Sequence, residues 1–113
     1  MSEHDEQVGL FEWAGFNDKL RWLFAIPNGG HRHKAVAIKL KREGVRAGVW
    51  DIFLPIPSEK YHGLFMEMKY GKNNLTDKQK EFGIFVRAKG YKTAVAYNWE
   101  EAQQQIEDYL NNE

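Results

Sequence analysis

Two short apolar runs constrain this chain more than any other feature. Residues 49–54 read VWDIFL and residues 63–69 read GLFMEMK. Each is too short for a buried helix and too apolar for a loop. The connection between them, PIPSEKYHG, carries two prolines and a serine. It is too short to hold a crossover helix, so the runs are expected to form an antiparallel hairpin. Side chains alternate along a strand. Leu64, Met66 and Met68 then share one face, and Phe65, Glu67 and Lys69 the other. In the earlier run Trp50, Ile52 and Leu54 fall on one face, with Val49, Asp51 and Phe53 opposite. A hairpin symmetric about residue 59 sets Asp51 directly across from Glu67. Opposed side chains on paired strands have Cβ atoms about 4.5–5.5 Å apart. Two carboxylates that close are unfavourable unless a cation lies between them, and the spacing suits Mg²⁺, which takes hard oxygen ligands and keeps several waters. Lys69 would lie diagonally beside such a metal, placed to orient a water or offset charge on a phosphate. The plainer reading is a solvated Glu67–Lys69 pair on a half-exposed sheet. Against it, both strands are otherwise almost wholly apolar, and buried acids need partners.

The remaining elements follow from periodicity and punctuation. Ser2, with Asp5 three residues later, opens a helix over roughly 3–16. Residues 21–26, RWLFAI, read as a strand ending at Pro27, and Asn28-Gly29-Gly30 as a turn. A basic helix is expected over about 33–43, with Gly44 as its stop. Thr76-x-x-Gln79 opens a third helix that ends at Gly90. Residues 91–97, YKTAVAY, form another strand, and a last helix runs from Asn98 or Trp99 to about Leu110. The order is α-β-α-β-β-α-β-α, an α/β fold expected to be one domain over 1–113.

Charge is unevenly distributed. The chain carries 16 bases and 16 acids among 113 residues. All the bases lie between Lys19 and Lys92, where they exceed the acids by ten, while the segments before and after carry acids only. A basic middle is the electrostatic footprint of a nucleic-acid binder; the alternative is that acids simply sit on the terminal helices. There is no cysteine, which removes disulfides, thiolate metal sites and cysteine nucleophiles. No apolar run is long enough to span a membrane, and the acidic start MSEHDEQ lacks a signal-peptide core. A cytoplasmic location is expected.

With these residues in view, Asp51 followed by Glu67-Met68-Lys69 resembles the D…(D/E)xK pattern of the PD-(D/E)xK nuclease superfamily. More narrowly, the chain resembles a stand-alone VRR-NUC domain of phage or bacterial type. The stretches IPNGGHRHKAVAIKLKREGVRAGVWDIFLP, GLFMEMK and NLTDKQKEF carry the likeness. The family usually has proline before the aspartate, where this chain has Trp50; the proline supplies no ligand, so the site is expected to survive.

The resemblance implies a restriction-endonuclease-like core with a mixed central sheet flanked by helices. It implies Asp51, Glu67 and the main-chain carbonyl of Met68 as ligands of Mg²⁺, with Mn²⁺ as a substitute, and Lys69 as the catalytic lysine. A first-helix glutamate is a further expected ligand. Glu3, with Gln7 four residues on, fits the spacing; Glu6 competes with it. Gln79 is either a site residue, since it shares a helix face with Phe82 and Val86, or the partner of Thr76 in a capping box. Asn28, Gly29, Gly30, Arg32, Lys39, Lys41, Arg42 and Arg46 are candidates for contact with DNA, as backbone donors or phosphate partners. His31 and His33 read as solvent or phosphate contacts, and His4 and His62 as exposed. The implied activity is a structure-specific DNA endonuclease acting on branched DNA, a homodimeric Holliday-junction resolvase in a bacterial or phage-infected cell. Trp13, Trp22, Trp99 and Tyr109 are candidates for the dimer seam or for the core. A nuclease for flaps or linear DNA, or an inactive binding module, stands as the alternative.

Overall fold

The computed structural model describes residues 2–27 and 33–111. Asn28, Gly29, Gly30, His31 and Arg32 lie outside the described residues. Among the described residues the order is α1 (Glu3–Ala14), β1 (Phe24–Ala25), α2 (Lys34–Arg42), β2 (Ile52–Leu54), β3 (Leu64–Met68), α3 (Asp77–Ala88), β4 (Lys92–Ala96) and α4 (Trp99–Leu110). A short 3-10 turn, Asp18–Leu20, separates α1 from β1.

The strands form one sheet in the order β1-β2-β3-β4. β1 and β2 are antiparallel, as are β2 and β3, while β3 and β4 run parallel with α3 as the crossover. The central hairpin pairs Ile52 with Met66, Phe53 with Phe65 and Leu54 with Leu64. That register is symmetric about residue 59, as the apolar alternation requires, because a slip by one would turn every core side chain to the wrong face. Ile52, Leu54, Leu64, Met66 and Met68 are buried against Leu10 and Ala14 of α1 and Ala102, Ile106 and Tyr109 of α4. The opposite face is aromatic. Phe65 meets Phe53 at 4.4 Å and Phe82 of α3 at 5.1 Å between ring centroids. The architecture is a mixed four-stranded sheet with helices on both faces, and no helix among the described residues is long and apolar enough to cross a membrane.

Three local expectations are corrected. α1 stops at Ala14, with Gly15 capping it, two residues short of the expected end. Of the run 21–26 only Phe24 and Ala25 pair in the sheet. Arg21 and Trp22 instead continue the turn that follows the 3-10 segment Asp18–Leu20, with Leu20 and Leu23 in the core. Trp50 does not share the face of Ile52 and Leu54. It lies ahead of β2, fully buried, and its indole N–H donates to the main-chain carbonyl of Gln79 at 2.8 Å. The ring presses on Gly83 of α3, where an added Cβ would come within 2.9 Å of it.

The helix stops behave as expected. Gly44 and Gly90 have φ of 105° and 94°, and the residues after them donate back to Leu40 and Val86, the Schellman arrangement. α2 differs from the other helices in burying no residue. Gly48 marks where the chain passes α3: its φ is 92°, and a Cβ would lie 2.6 Å from the carbonyl oxygen of Lys78. Gly48→Ala combines left-handed strain with a backbone clash. It should lower unfolding stability by at least about 2 kcal/mol, measured by urea titration, whereas Gly44→Ala, which meets nothing within 4 Å, should cost about half as much or less.

Candidate active site

The site forms where β2 stops pairing with β3. Beyond Ile52 the main-chain ladder gives way to two crossed side-chain contacts. The Asp51 N–H donates to Glu67 Oε1 at 3.2 Å, and the Met68 N–H donates to Asp51 Oδ2 at 3.0 Å. Each carboxylate thus takes a backbone donor that a longer strand would have used for pairing. This fixes both acids on the aromatic face, at the end of the sheet, with the cross-strand opposition that the register demands.

Glu67 is 2% exposed. Its second oxygen accepts from Gln79 Nε2 at 2.9 Å and pairs with Lys69 Nζ at 3.5 Å. Lys69 is itself buried, and its main-chain N–H donates to Ala96 of β4. The Glu67–Lys69 pair is therefore enclosed, not solvated. Gln79 both caps its helix and reaches Glu67. Its Oε1 accepts from the Thr76 N–H at 2.9 Å and its N–H donates to Thr76 Oγ1, completing a capping box, while its Nε2 reaches Glu67. Trp50 fastens the same turn of α3 through the Gln79 carbonyl, so the residue standing where proline is usual holds the helix against the site.

Burial first and the Asp51 charge second push the Glu67 carboxyl up to about 8, against the pull of Lys69 and the Asp51 N–H. Burial also raises Asp51, opposed by the Met68 N–H, the side-chain hydrogen bond with Glu67, and Lys69. Glu3, on the first turn of α1, is raised by burial and by the Asp51 charge and lowered by Lys69. It is near enough to feel both groups.

Glu6 is placed elsewhere. It is buried, and its Oε1 accepts the N–H of Trp99 at 2.9 Å, at the start of α4. Nothing in the sequence pointed to this contact, since its partner lies 93 residues away. Gly9, one turn on, lies against the indole of Trp99. Together they pin α1 to α4 and leave Glu3 at the site. Lys39, Lys41 and Arg42 lie exposed on α2, and Arg46 lies just after it, donating to the Lys41 carbonyl. Asn28, Gly29, Gly30 and Arg32 fall outside the described residues. Trp13 and Trp99 pack against the core, Tyr109 is buried and donates to the Ile56 carbonyl, and Trp22 is exposed.

An enclosed carboxylate pair with a lysine and an amide on one of them is a site, and its sequence is recognisable. The model of the VRR-NUC domain matches residues 5–99. The chain belongs to the VRR-NUC family. A solved structure described as a VRR_NUC domain protein superposes with a TM-score of 0.87 at 26% identity, over 99% of this chain and 90% of that one. No curated protein matches. A VRR-NUC domain is a nuclease-type domain of the PD-(D/E)xK superfamily, and a nuclease domain of this kind implies DNA as its substrate.

Among the described residues no group of three or more His, Cys, Asp or Glu is arranged to hold a metal. The candidate centre is a pair of carboxylates with Glu3 as a neighbour. Its donors are hard oxygens, few and partly buried, which suits an ion that keeps much of its own water shell. Burial raises the proton affinity of both acids, and a divalent cation can replace the proton in offsetting such charges.

The raised Glu67 carboxyl makes stability depend on pH. Folded Glu67 keeps its proton to about pH 8, whereas the ordinary value is 4.5. The folded chain therefore binds more protons than the unfolded one across that window, and stability falls as pH rises through it. In EDTA, urea titrations from pH 5 to 8 should show a loss of up to about 1.4 kcal/mol per pH unit. Glu67→Gln should flatten most of the slope; a slope unchanged in that variant would place its origin elsewhere.

Proposed function

We propose that this domain is a Mg²⁺-dependent, structure-specific DNA endonuclease, with Mn²⁺ able to substitute, that works as a homodimer on Holliday junctions. The observation that carries the nuclease chemistry is the apposition of Asp51 and Glu67 with Lys69 and Gln79 fixed on Glu67. Asp51, Glu67 and the carbonyl of Met68 would hold the ion, and Glu3 would face it from α1. Bound there, the ion supplies a positive centre for the scissile phosphate and makes a coordinated water more acidic.

The protein's own groups do the rest. The Asp51 and Met68 N–H groups hold the carboxylates in place before any ligand arrives, so little reorganisation accompanies binding. Gln79 keeps one Glu67 oxygen oriented and prevents the side chain from swinging into solvent. Lys69 Nζ, 3.5 Å from Glu67, carries the positive charge that can move from this carboxylate toward a phosphate oxygen or the attacking water. The aromatic layer of Phe53 and Phe65 below the pair keeps the dielectric low and strengthens each of these interactions. The basic side chains Lys39, Lys41, Arg42 and Arg46, with Arg32, would neutralise backbone phosphates.

Support for the dimer comes from α2. A nine-residue helix that buries nothing is marginal in water, yet this one exposes Val36 and Ile38 at 47% and 52%. A second copy that covers its apolar side would stabilise it. Light scattering should then give about twice the 13.2 kDa chain mass, and Val36→Asp should shift it to the monomer.

The activity test is cleavage of a labelled four-way junction beside a linear duplex of the same sequence. Junction cutting that needs Mg²⁺ or Mn²⁺, stops in EDTA and drops at least about a hundredfold in Lys69→Ala is the expected result. Equal cutting of both substrates would remove the junction preference. Binding without cutting, indifferent to Lys69→Ala, would remove the enzyme.

A further inference from the structure

An aromatic stripe leaves the active-site face and emerges at the open edge of the sheet. Phe65 lies under Phe82 of α3, Phe53 lies against Phe65, and Phe24 of β1 meets Phe53 edge-on at 5.8 Å between centroids. β1 is the edge strand, and here the stripe becomes accessible: Phe24 is 45% exposed and Trp22 is 69% exposed. Leu23, between them, is buried in the core. Phe24 therefore stands on the side away from α1 and α4, the side that carries Asp51 and Glu67, and Trp22 lies exposed in the turn just ahead of β1.

The segment is also basic and tied to the site. The Arg21 guanidinium lies 5.8 Å over the indole of Trp22, and Lys19 precedes it. At the other end of the segment, the Ile26 N–H donates to the Asp51 carbonyl at 2.6 Å. At most about 14 Å of chain separates Ile26 from Trp22. Of the four tryptophans, Trp50 is buried, and Trp13 and Trp99 pack against the core. Trp22 alone among them is exposed, with cations on its own segment and β1 between it and Ile26, the residue beside Asp51.

We propose that Trp22, flanked by Arg21 and Phe24, is a stacking platform for an unpaired base of the DNA whose backbone enters the Asp51–Glu67 site. Aromatic planes take any base by its π-face, and an adjacent guanidinium adds both cation–π attraction and a phosphate partner. The platform gives the domain affinity for DNA with a single-stranded element next to the cut. It rests on the nuclease reading for its place beside a scissile phosphate, but its binding can be measured without chemistry.

The experiment uses the full chain in EDTA with a short oligo(dT) and, separately, a blunt duplex. Oligo(dT) should quench the intrinsic tryptophan fluorescence. Trp22→Ala should abolish the quench and weaken oligo(dT) binding about five- to a hundredfold, with blunt-duplex affinity changed less than twofold. Trp22→Phe, which keeps an aromatic plane, should lose the quench and retain affinity within a few-fold. Unchanged oligo(dT) affinity in Trp22→Ala overturns the proposal, as does an equal loss for blunt duplex. Conversion of a dimer to a monomer by Trp22→Ala also overturns it, since a second copy would then cover this edge. Absence of cleavage by the wild type in Mg²⁺, with the quench and its loss in Trp22→Ala intact, would remove the nuclease reading and leave the platform standing.

Discussion

The structure turns on one exchange of hydrogen bonds. At the end of the central hairpin, Asp51 and Glu67 each accept a main-chain N–H from the opposite strand, Met68 to Asp51 and Asp51 to Glu67. Side-chain oxygens replace the carbonyl acceptors of an ordinary ladder, so the strands stop pairing where the carboxylates begin. The backbone donors stay satisfied, which a buried sheet end requires, and the two acids are held within interaction range. Among the described residues, no buried side-chain nitrogen or oxygen lacks a partner. The acids survive inside an apolar sheet because each is tied to donors, at the cost of a raised proton affinity.

Everything around the pair acts to hold it. The core on one face, with Ile52, Leu54, Leu64, Met66 and Met68 against α1 and α4, fixes register and so fixes opposition. On the other face α3 arrives with its first turn already capped, and the capping residue is the one that touches Glu67. Gln79 thus converts helix-end geometry into orientation of a carboxylate. Trp50 and Gly48 press the chain ahead of Asp51 against the same turn. α1 is anchored by Glu6 on the N-terminus of α4, where a negative charge meets unpaired N–H groups and the positive end of the helix dipole. That anchor keeps Glu3 within reach of Asp51 and Lys69.

Legibility in the sequence followed the range of the forces involved. Asp51 across from Glu67 could be read because alternation and the hairpin connection together fix register, and both are local. Thr76 and Gln79 could be read because a capping box spans three residues. Trp50 could not. Alternation assigned it to the core face, but alternation applies only within a paired strand, and the pairing ends at Ile52. The run RWLFAI failed for a related reason: its apolar content is shared between the core, through Leu23, and the exposed edge, through Trp22 and Phe24, and only two residues pair. The choice between Glu3 and Glu6 needed a contact across 93 positions, which no local pattern encodes.

The same reasoning explains the charge asymmetry. α1 and α4 pack on each other and on the core face; apart from buried Glu6 and half-buried Glu3, their acids are exposed, and neither helix carries a lysine or arginine. Many of the bases fall on α2, which buries nothing, on either side of Leu20, and on the exposed side of α3. Glu67, buried, and Asp51, half-buried, would repel an anionic substrate unless a cation offsets them.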